Sequence, residues 1–257
     1  MNDDLIEAVD PREEYVACAS ALASGEASAR EDLRIVLTAM HGVGAAITSR
    51  VLSEAGFSHV SLVAAQADPD PDFPTVPFPN PEEAGALDMA IEQAREQGAD
   101  LIIAVDPDAD RCALAVPDPT SETGWSPLSG DQIGSLLGEF LASRGMKGSL
   151  ANSIVSSRLL SRIARAHGLD HHTTLTGFKW IARAPGLGFG YEEAIGFCPD
   201  PAHVRDKDGI ATSVVAASLV AALKAQGCSV WDELERLARL HGLHVSSPLT
   251  FRVEQIE

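Results

Sequence analysis

Short apolar, β-branched runs alternate with helical segments along this chain of 257 residues. The clearest run is Leu101–Val105, five consecutive apolar residues typical of a strand buried on both faces. A similar run at residues 34–39 is followed by a helical pattern over 45–55, which ends at Gly56. This alternation predicts an α/β fold, with helices packed on the faces of a sheet.

Two breaks divide the chain. Residues 66–82 carry six prolines, which exclude regular structure and predict a long surface loop. Asn80 and Pro81, followed by two acids, predict the start of a helix that runs to Gln97. A polar break at 144–148 predicts a domain boundary, with one domain at 1–148 and a second at 149–249. The tail at 250–257 has the alternation of a strand.

The excess negative charge lies entirely in the first domain. The chain has 37 acidic and 19 basic residues, a formal charge of −18, and residues 1–148 hold 26 of those acids and only 8 of those bases. An acidic half suits a divalent cation and the basic segment at 158–183 suits a small anion, although two differently solvated surfaces would look the same.

Composition also excludes several classes of function. A net acidic chain is a poor partner for nucleic acid, and no apolar run approaches the roughly 20 residues of a membrane span. The N-terminus is acidic and unlike a signal peptide. The four cysteines are scattered and form no CxxC pair, so we expect a cytoplasmic protein in a reducing compartment.

A cluster of acids directly follows the buried strand. Asp106, Asp108 and Asp110 are spaced two apart, and Mg²⁺ prefers carboxylate oxygens. An EF-hand is excluded, because Arg111 and Pro117 stand where that motif needs Gly and Glu. The motif predicts a Mg²⁺ site in which Arg111 balances the charge or orients a phosphate, while the alternative is a polar loop after the strand.

Three further polar segments lie in the second half. Thr176, Gly177 and Lys179 form a loop that would allow close approach of a sugar phosphate, and Glu192 with Glu193 would accept hydrogen bonds from sugar hydroxyls. A basic cluster that includes Lys207 precedes an apolar helix. Taken alone, the Thr176 loop is more typical of an ordinary turn, and the paired glutamates are more typical of a solvated helix start.

The order of these motifs resembles one known family. DPDADR, TGFKWI, GYEEAIGF and DKDGI follow one another as they do in the α-D-phosphohexomutase superfamily, the phosphoglucomutases and phosphomannomutases. The resemblance is greatest to the branch that includes phosphopentomutase and glucose-1,6-bisphosphate synthase. It covers nearly the whole chain and implies domains two and three of a four-domain enzyme, each a three-layer α/β/α unit with a mixed sheet.

The resemblance also implies roles for individual residues. The three aspartates would bind Mg²⁺, Arg111 would lie beside the transferred phosphoryl group, and Lys207 would be a basic catalytic residue of the cleft. The substrate would contact Thr176, Gly177, Lys179, Glu192 and Ala194, the last standing where many relatives have Ser. The implied reaction moves a phosphoryl group between the 1- and 6-positions of glucose or mannose phosphate.

The sequence departs from the family pattern in two respects. Neither the phosphoserine loop of domain one nor the phosphate-binding domain four has a counterpart here, and residues 250–257 would begin the linker to domain four. We therefore expect an isomerase fragment that is inactive alone and forms a homodimer through exposed domain interfaces. The alternatives are a non-catalytic sugar-phosphate-binding module and an unrelated Mg²⁺-dependent phosphatase, although residues 33–42 lack the nucleophilic Asp that such phosphatases use.

Overall fold

The computed structural model describes residues 8–247, which form two mixed β-sheets with helices packed on them. The first sheet has the strand order β2-β1-β3-β4-β5. In it β1 is parallel to β2 and β3, β4 is antiparallel to β3, and β5 is antiparallel to β4. The strands are β1 (Arg34–Thr38), β2 (His59–Leu62), β3 (Leu101–Val105), β4 (Cys112–Pro117) and β5 (Trp125–Pro127).

Four helices accompany the first sheet: α1 (Arg12–Ser20), α2 (Ala27–Glu31), α3 (Ala45–Glu54) and α4 (Asp88–Gln97). The crossover through α3 leads from β1 outward to β2, and the crossover through α4 leads back past β1 to β3. Right-handed crossovers in opposite directions place α3 and α4 on opposite faces. The order in which strands are added to the sheet therefore reverses between the parallel strands β1 and β3.

The second sheet repeats this topology with four strands in the order β7-β6-β8-β9. Its central strand β6 is parallel to β7 and β8, and β9 returns antiparallel. The strands are β6 (Ser149–Ser153), β7 (Asp170–Thr174), β8 (Leu187–Glu192) and β9 (Gly196–Cys198). The remaining helices are α5 (Gly130–Ser143), α6 (Leu159–Ala166), α7 (Phe178–Ile181), α8 (Gly209–Ala225) and α9 (Val230–His241).

Helix α5 precedes the predicted domain boundary but packs on the second sheet. A Cβ atom at Gly134 would lie 2.5 Å from the Tyr191 ring in β8, and one at Gly138 would lie 2.5 Å from Leu160 in α6. The boundary at residue 148 thus separates α5 from its packing partners. That boundary stays a prediction, and the packing favours a position between β5 and α5.

Helix α8 lies between the two sheets. It contacts α1, α2 and α3 and strands β3 and β4 of the first sheet, and also α5 and β9. Most of its residues are buried, so its apolar composition reflects a position inside the protein. Among the described residues no single helix is long and apolar enough to cross a membrane, and only α8 and α9 taken together, across a 91° bend, reach that length and composition.

The expected class of fold, two α/β/α domains with mixed sheets, is confirmed. The predicted helix start at Asn80 is wrong, because α4 begins at Asp88. The Asn80 side chain accepts a hydrogen bond from the backbone N–H of Glu82 within a turn, so it stabilises the loop instead of a helix. The predicted strand at 250–257 lies outside the described residues.

Candidate functional site

The acidic cluster lies in the connection from β3 to β4, which we call the aspartate loop (residues 106–111). This position is the carboxyl end of β3, beside the parallel strand β1. The order of the strands reverses between β1 and β3, and α/β proteins place their ligands at such a point. Ala109 adopts a left-handed conformation with φ of 60°, which turns the loop. One oxygen from each of Asp106, Asp108 and Asp110 lies within 4.8 Å of the others.

The three carboxylates have different surroundings. Asp106 is 1% exposed and accepts hydrogen bonds from the Arg111 backbone N–H at 2.9 Å and from its Nε at 2.6 Å. Burial raises the pKa of Asp106 above its ordinary value, although Arg111 acts in the opposite direction. Asp108 is exposed, and Asp110 forms an ion pair with Lys207.

These donors fit a hard divalent cation. All three are carboxylate oxygens, they converge on one point, and an oxygen-only donor set is the one that Mg²⁺ prefers. The sequence predicts that these three carboxylates lie close together, and the geometry agrees with it. The bound metal stays a prediction.

The loop after β1 supports the aspartate loop from one side. Gly42 packs so closely that a Cβ atom there would lie 2.4 Å from Pro107 Cα. The N–H of Val43 donates to the Pro107 carbonyl at 2.9 Å. His41 has a left-handed φ of 63° and hydrogen-bonds through Nε2 to the Thr75 hydroxyl at 2.8 Å, which ties the proline-rich loop to the same place.

The two sheets meet at the aspartate loop. Arg111 forms an isolated antiparallel bridge with Gly196, and the N–H of Cys112 donates to the Ile195 carbonyl at 3.1 Å. The N–H of Gly209, at the start of α8, donates to the Ala109 carbonyl at 3.1 Å. The aspartate loop is therefore joined by backbone contacts to the turn at residues 192–196, which we call the glutamate turn.

Lys207 connects the separate motifs. Its Nζ lies 2.9 Å from Asp110 Oδ2 and 5.7 Å from the centre of the Phe178 ring, and a Cβ atom at Gly196 would lie 2.5 Å from its Cδ. Burial acts to lower the pKa of Lys207, but the contact with Asp110 and the nearby charges of Asp206 and Glu192 outweigh it and raise the pKa. The side chain is therefore a cation held between three loops.

The two neighbouring glutamates have different surroundings. Glu193 Oε2 accepts hydrogen bonds from the hydroxyls of Ser153 and Ser156, each at 2.8 Å, so this carboxylate joins β6 to the glutamate turn. Glu192 lies beside Gly196, and burial raises its pKa. Glu193 thus has a structural contact, whereas the Glu192 carboxylate has no hydrogen-bond or ion-pair partner among the described residues.

The remaining predicted residues lie at the edges of this arrangement. Thr176 and Lys179 are exposed, and Gly177 has a φ of 106° that favours glycine. Among the described residues, no hydrogen bond or ion pair joins these three to the aspartates, and Phe178 is the residue of that loop that contacts Lys207. Ala194 is half-buried in the glutamate turn.

Sequence reasoning missed Glu82 at the end of the proline-rich loop. Its carboxylate lies within electrostatic reach of Arg111 and Glu193. With Ile195 it also lines a cavity of about 500 Å³ between this loop and β5. The Asn-Pro-Glu pattern predicts a helix start. The loop found in its place brings Glu82 close enough to Arg111 and Glu193 for their charges to interact.

Comparison with known proteins identifies the family. Residues 13–120 match the family model described as phosphoglucomutase/phosphomannomutase, alpha/beta/alpha domain II, and residues 129–239 match domain III of the same family. These matches cover most of the chain, so the chain belongs to the phosphoglucomutase/phosphomannomutase family.

Individual relatives agree with this assignment. A protein of Haemophilus influenzae named probable phosphomannomutase is 44% identical over 258 residues, covering 100% of this chain and 51% of that protein. A phosphoglucomutase of Staphylococcus aureus strain MRSA252 is 34% identical, covering 89% of this chain and 43% of that protein. The chain therefore spans about half the length of these relatives.

A solved structure shows the same fold. The crystal structure of a Thermus thermophilus protein assigned as a phosphomannomutase superimposes with a TM-score of 0.77 at 26% identity. The match covers 92% of this chain and 52% of that one.

Proposed function

We propose that this chain carries the metal-binding and sugar-recognition part of a hexose-phosphate mutase. The reaction would move a phosphoryl group between the 1- and 6-positions of a glucose or mannose phosphate, with Mg²⁺. The observation that supports this most directly is the backbone bridge between the aspartate loop and the glutamate turn, with Lys207 between them. It brings groups suited to a metal, a phosphate and a sugar to one place.

The aspartates would hold Mg²⁺ in this proposal. When bound, the ion would offset the negative charge on the transferring phosphoryl group. Arg111 is oriented by Asp106 through Nε, and among the hydrogen bonds of residues 8–247 its two terminal nitrogens have no partner. Those nitrogens would donate to phosphoryl oxygens.

The second-sheet residues would bind and orient the sugar. Glu192 would accept hydrogen bonds from two neighbouring hydroxyls, and Thr176, Gly177 and Lys179 would contact the phosphate at the other end of the substrate. Ala194 has no hydroxyl to add. Lys207 would hold a proton at Nζ and donate it to a substrate oxygen in the cleft.

A metal titration tests the proposal at its centre. Asp108 is exposed, so Asp108→Asn removes one charge without disturbing a buried contact. We expect Mg²⁺ affinity, measured by isothermal titration calorimetry, to fall by about tenfold or more because the site loses an anionic ligand. Glu122→Gln, an exposed acid in the turn between β4 and β5, is the matched control. Equal Mg²⁺ affinities in Asp108→Asn and the unmodified chain would remove the metal site.

Turnover by this chain alone is expected to be absent. Its 257 residues include no segment like the family's phosphoserine loop, so it has no donor for the phosphoryl group. The assay mixes the chain with glucose 1-phosphate or mannose 1-phosphate, Mg²⁺ and a bisphosphorylated sugar. Formation of the 6-phosphate above a blank without protein would contradict this expectation.

A further inference from the structure

The contact between Lys207 and Asp110 places a cation on one of the candidate metal ligands. Lys207 Nζ lies 2.9 Å from Asp110 Oδ2, and its next acidic neighbour, Asp206, is further away at 3.8 Å. Asp106 is already engaged by Arg111 at both of its oxygens, and Asp108 is exposed. Arg111 Nε is more distant from Asp110 than Lys207 is, at 3.8 Å from Oδ1, so Lys207 is the cation that holds Asp110 most closely.

A lysine ammonium in direct contact with a carboxylate opposes the binding of a divalent ion to that carboxylate. A divalent ion bound at the aspartates would lie within a few ångströms of the lysine ammonium, and like charges at that range repel strongly in a partly buried site. The side chain of Lys207 is 21% exposed and that of Asp110 is 34% exposed, so solvent screens this repulsion only in part.

The ammonium group of Lys207 has a further acidic neighbour, Glu192. Its stem passes Gly196, and Glu192 Oε1 lies beside the same glycine, 2.9 Å from a Cβ atom built there. The negative charge of Glu192 acts on Lys207, and the centre of the Phe178 ring, two residues along the chain from Thr176, lies 5.7 Å from Lys207 Nζ. A small rotation of the flexible stem would move the ammonium from Asp110 toward the region proposed for the sugar phosphate.

We propose that Lys207 is an internal counter-ion of the metal site, which leaves Asp110 when a divalent cation binds and turns toward the substrate side of the cleft. This inference rests on the proposed function, because it assumes that the aspartates bind a metal. It makes metal binding a switch that places a cation where an anionic substrate is to be held. Lys207 would thereby couple the two ligands positively.

A double-mutant cycle on Mg²⁺ affinity tests the competition. Calorimetry compares the unmodified chain, Lys207→Met, Asp110→Asn and the double variant. Direct competition predicts that Lys207→Met raises affinity by about tenfold when Asp110 is present and changes it less than about twofold in Asp110→Asn. A general repulsion without competition predicts the same factor in both backgrounds, and that result would overturn the proposal. So would an unchanged or lower affinity in Lys207→Met.

Lys147→Met is the matched control, because Lys147 is exposed, lies outside the proposed site and makes no ion pair among the described residues. It should leave Mg²⁺ affinity unchanged. If the unmodified chain binds no Mg²⁺, the proposed metal site fails and this inference fails with it. If Mg²⁺ binds and the cycle shows no coupling, only the role of Lys207 fails.

A spectroscopic measurement on the unmodified chain avoids any effect of substitution on folding. The chain has four lysines, so the side-chain ammonium signals of a lysine-labelled sample can be assigned by NMR, with Lys207→Arg identifying one. We expect the Lys207 signal to move on saturation with Mg²⁺. Lys224, which pairs with Asp100 at 2.6 Å, should stay in place as an internal reference. A Lys207 signal unchanged at saturation would overturn the proposal.

Discussion

Two glycines, Gly196 and Gly209, lie where loops of the two sheets touch, and they set how closely the sheets approach. A Cβ atom at Gly209 would lie 2.3 Å from the Arg111 carbonyl oxygen, and one at Gly196 would meet the side chains of Lys207 and Glu192. Backbone atoms cannot move away, whereas the ends of long side chains can. A methyl group at Gly209 would therefore clash with backbone, whereas a methyl group at Gly196 would clash with side chains.

Gly209→Ala is expected to be the more harmful of the two changes. Because the new methyl group meets backbone of the aspartate loop, the free energy of unfolding should fall by about 1–3 kcal/mol. Gly196→Ala should cost less than about 1 kcal/mol, since Lys207 and Glu192 can rotate. Urea denaturation followed by circular dichroism measures both, and equal losses would contradict this explanation.

The site residues that sequence analysis found are those whose signal is local. Asp106, Asp108 and Asp110 follow one strand, so their convergence depends on a single turn. The contact of Lys207 with Asp110 spans 97 positions and depends on how α8 packs, which no local pattern encodes. Glu82 was missed for the same reason.

At the level of helices and strands, Glu139 joins three elements. This buried carboxylate in α5 lies 2.9 Å from His167 Nε2, just after α6, and 2.7 Å from an Arg236 nitrogen in α9. Burial acts to raise the pKa of Glu139, but the hydrogen bonds from Arg236 and His167 outweigh it and hold the pKa below its ordinary value.

Glu139→Gln should therefore destabilise the protein in a pH-dependent way. A lowered pKa in the folded state means that ionised Glu139 stabilises the fold at neutral pH, and that this stabilisation is lost as the pH falls through the folded-state pKa. We expect the variant to lose about 1–3 kcal/mol at neutral pH and to approach the unmodified chain in acid. Urea unfolding across this pH range measures both.

Glu235→Gln provides the comparison for Glu139→Gln. Its ion pair with Arg239 is on the surface, where such pairs contribute little. A loss for Glu139→Gln that is independent of pH, or no larger than that of Glu235→Gln, would show that the network has no such role.

Sequence patterns predicted the central parallel strands better than the edges. The apolar runs of β1 and β3 are flanked by clear turns, and both strands lie close to where the pattern placed them. The short antiparallel strands β5 and β9 have three residues each, too few for a periodicity to be visible. Helix α4 began later than predicted because Asn80 satisfied a turn N–H, an alternative that the same residue supports equally well.

At the scale of the whole molecule, the two sheets share a topology and one continuous apolar core. Each has a central strand with a parallel neighbour on either side and an antiparallel return strand, and the aspartate loop and the glutamate turn are the equivalent connections to those return strands. The shared features are directions and connections of strands, which many residue choices satisfy, so the two halves need not resemble each other in sequence.

The shared core predicts a single unfolding transition. Because α8 and the aspartate loop contact both sheets, neither sheet should unfold while the other persists. Hydrogen exchange at increasing urea concentration should show amides of β3 and β6 losing protection together. Loss of protection in β6 at a urea concentration where β3 stays protected would contradict this.

The position of α8 has a consequence for attempts to divide the protein. A gene fragment that stops before residue 209 would encode all nine described strands, yet the first sheet would lose the helix that covers β3 and β4. The exposed Val- and Leu-rich surfaces would then associate between molecules instead of within one. Shortened versions made for expression should therefore keep α8 together with the first sheet, even though α8 follows both sheets along the chain.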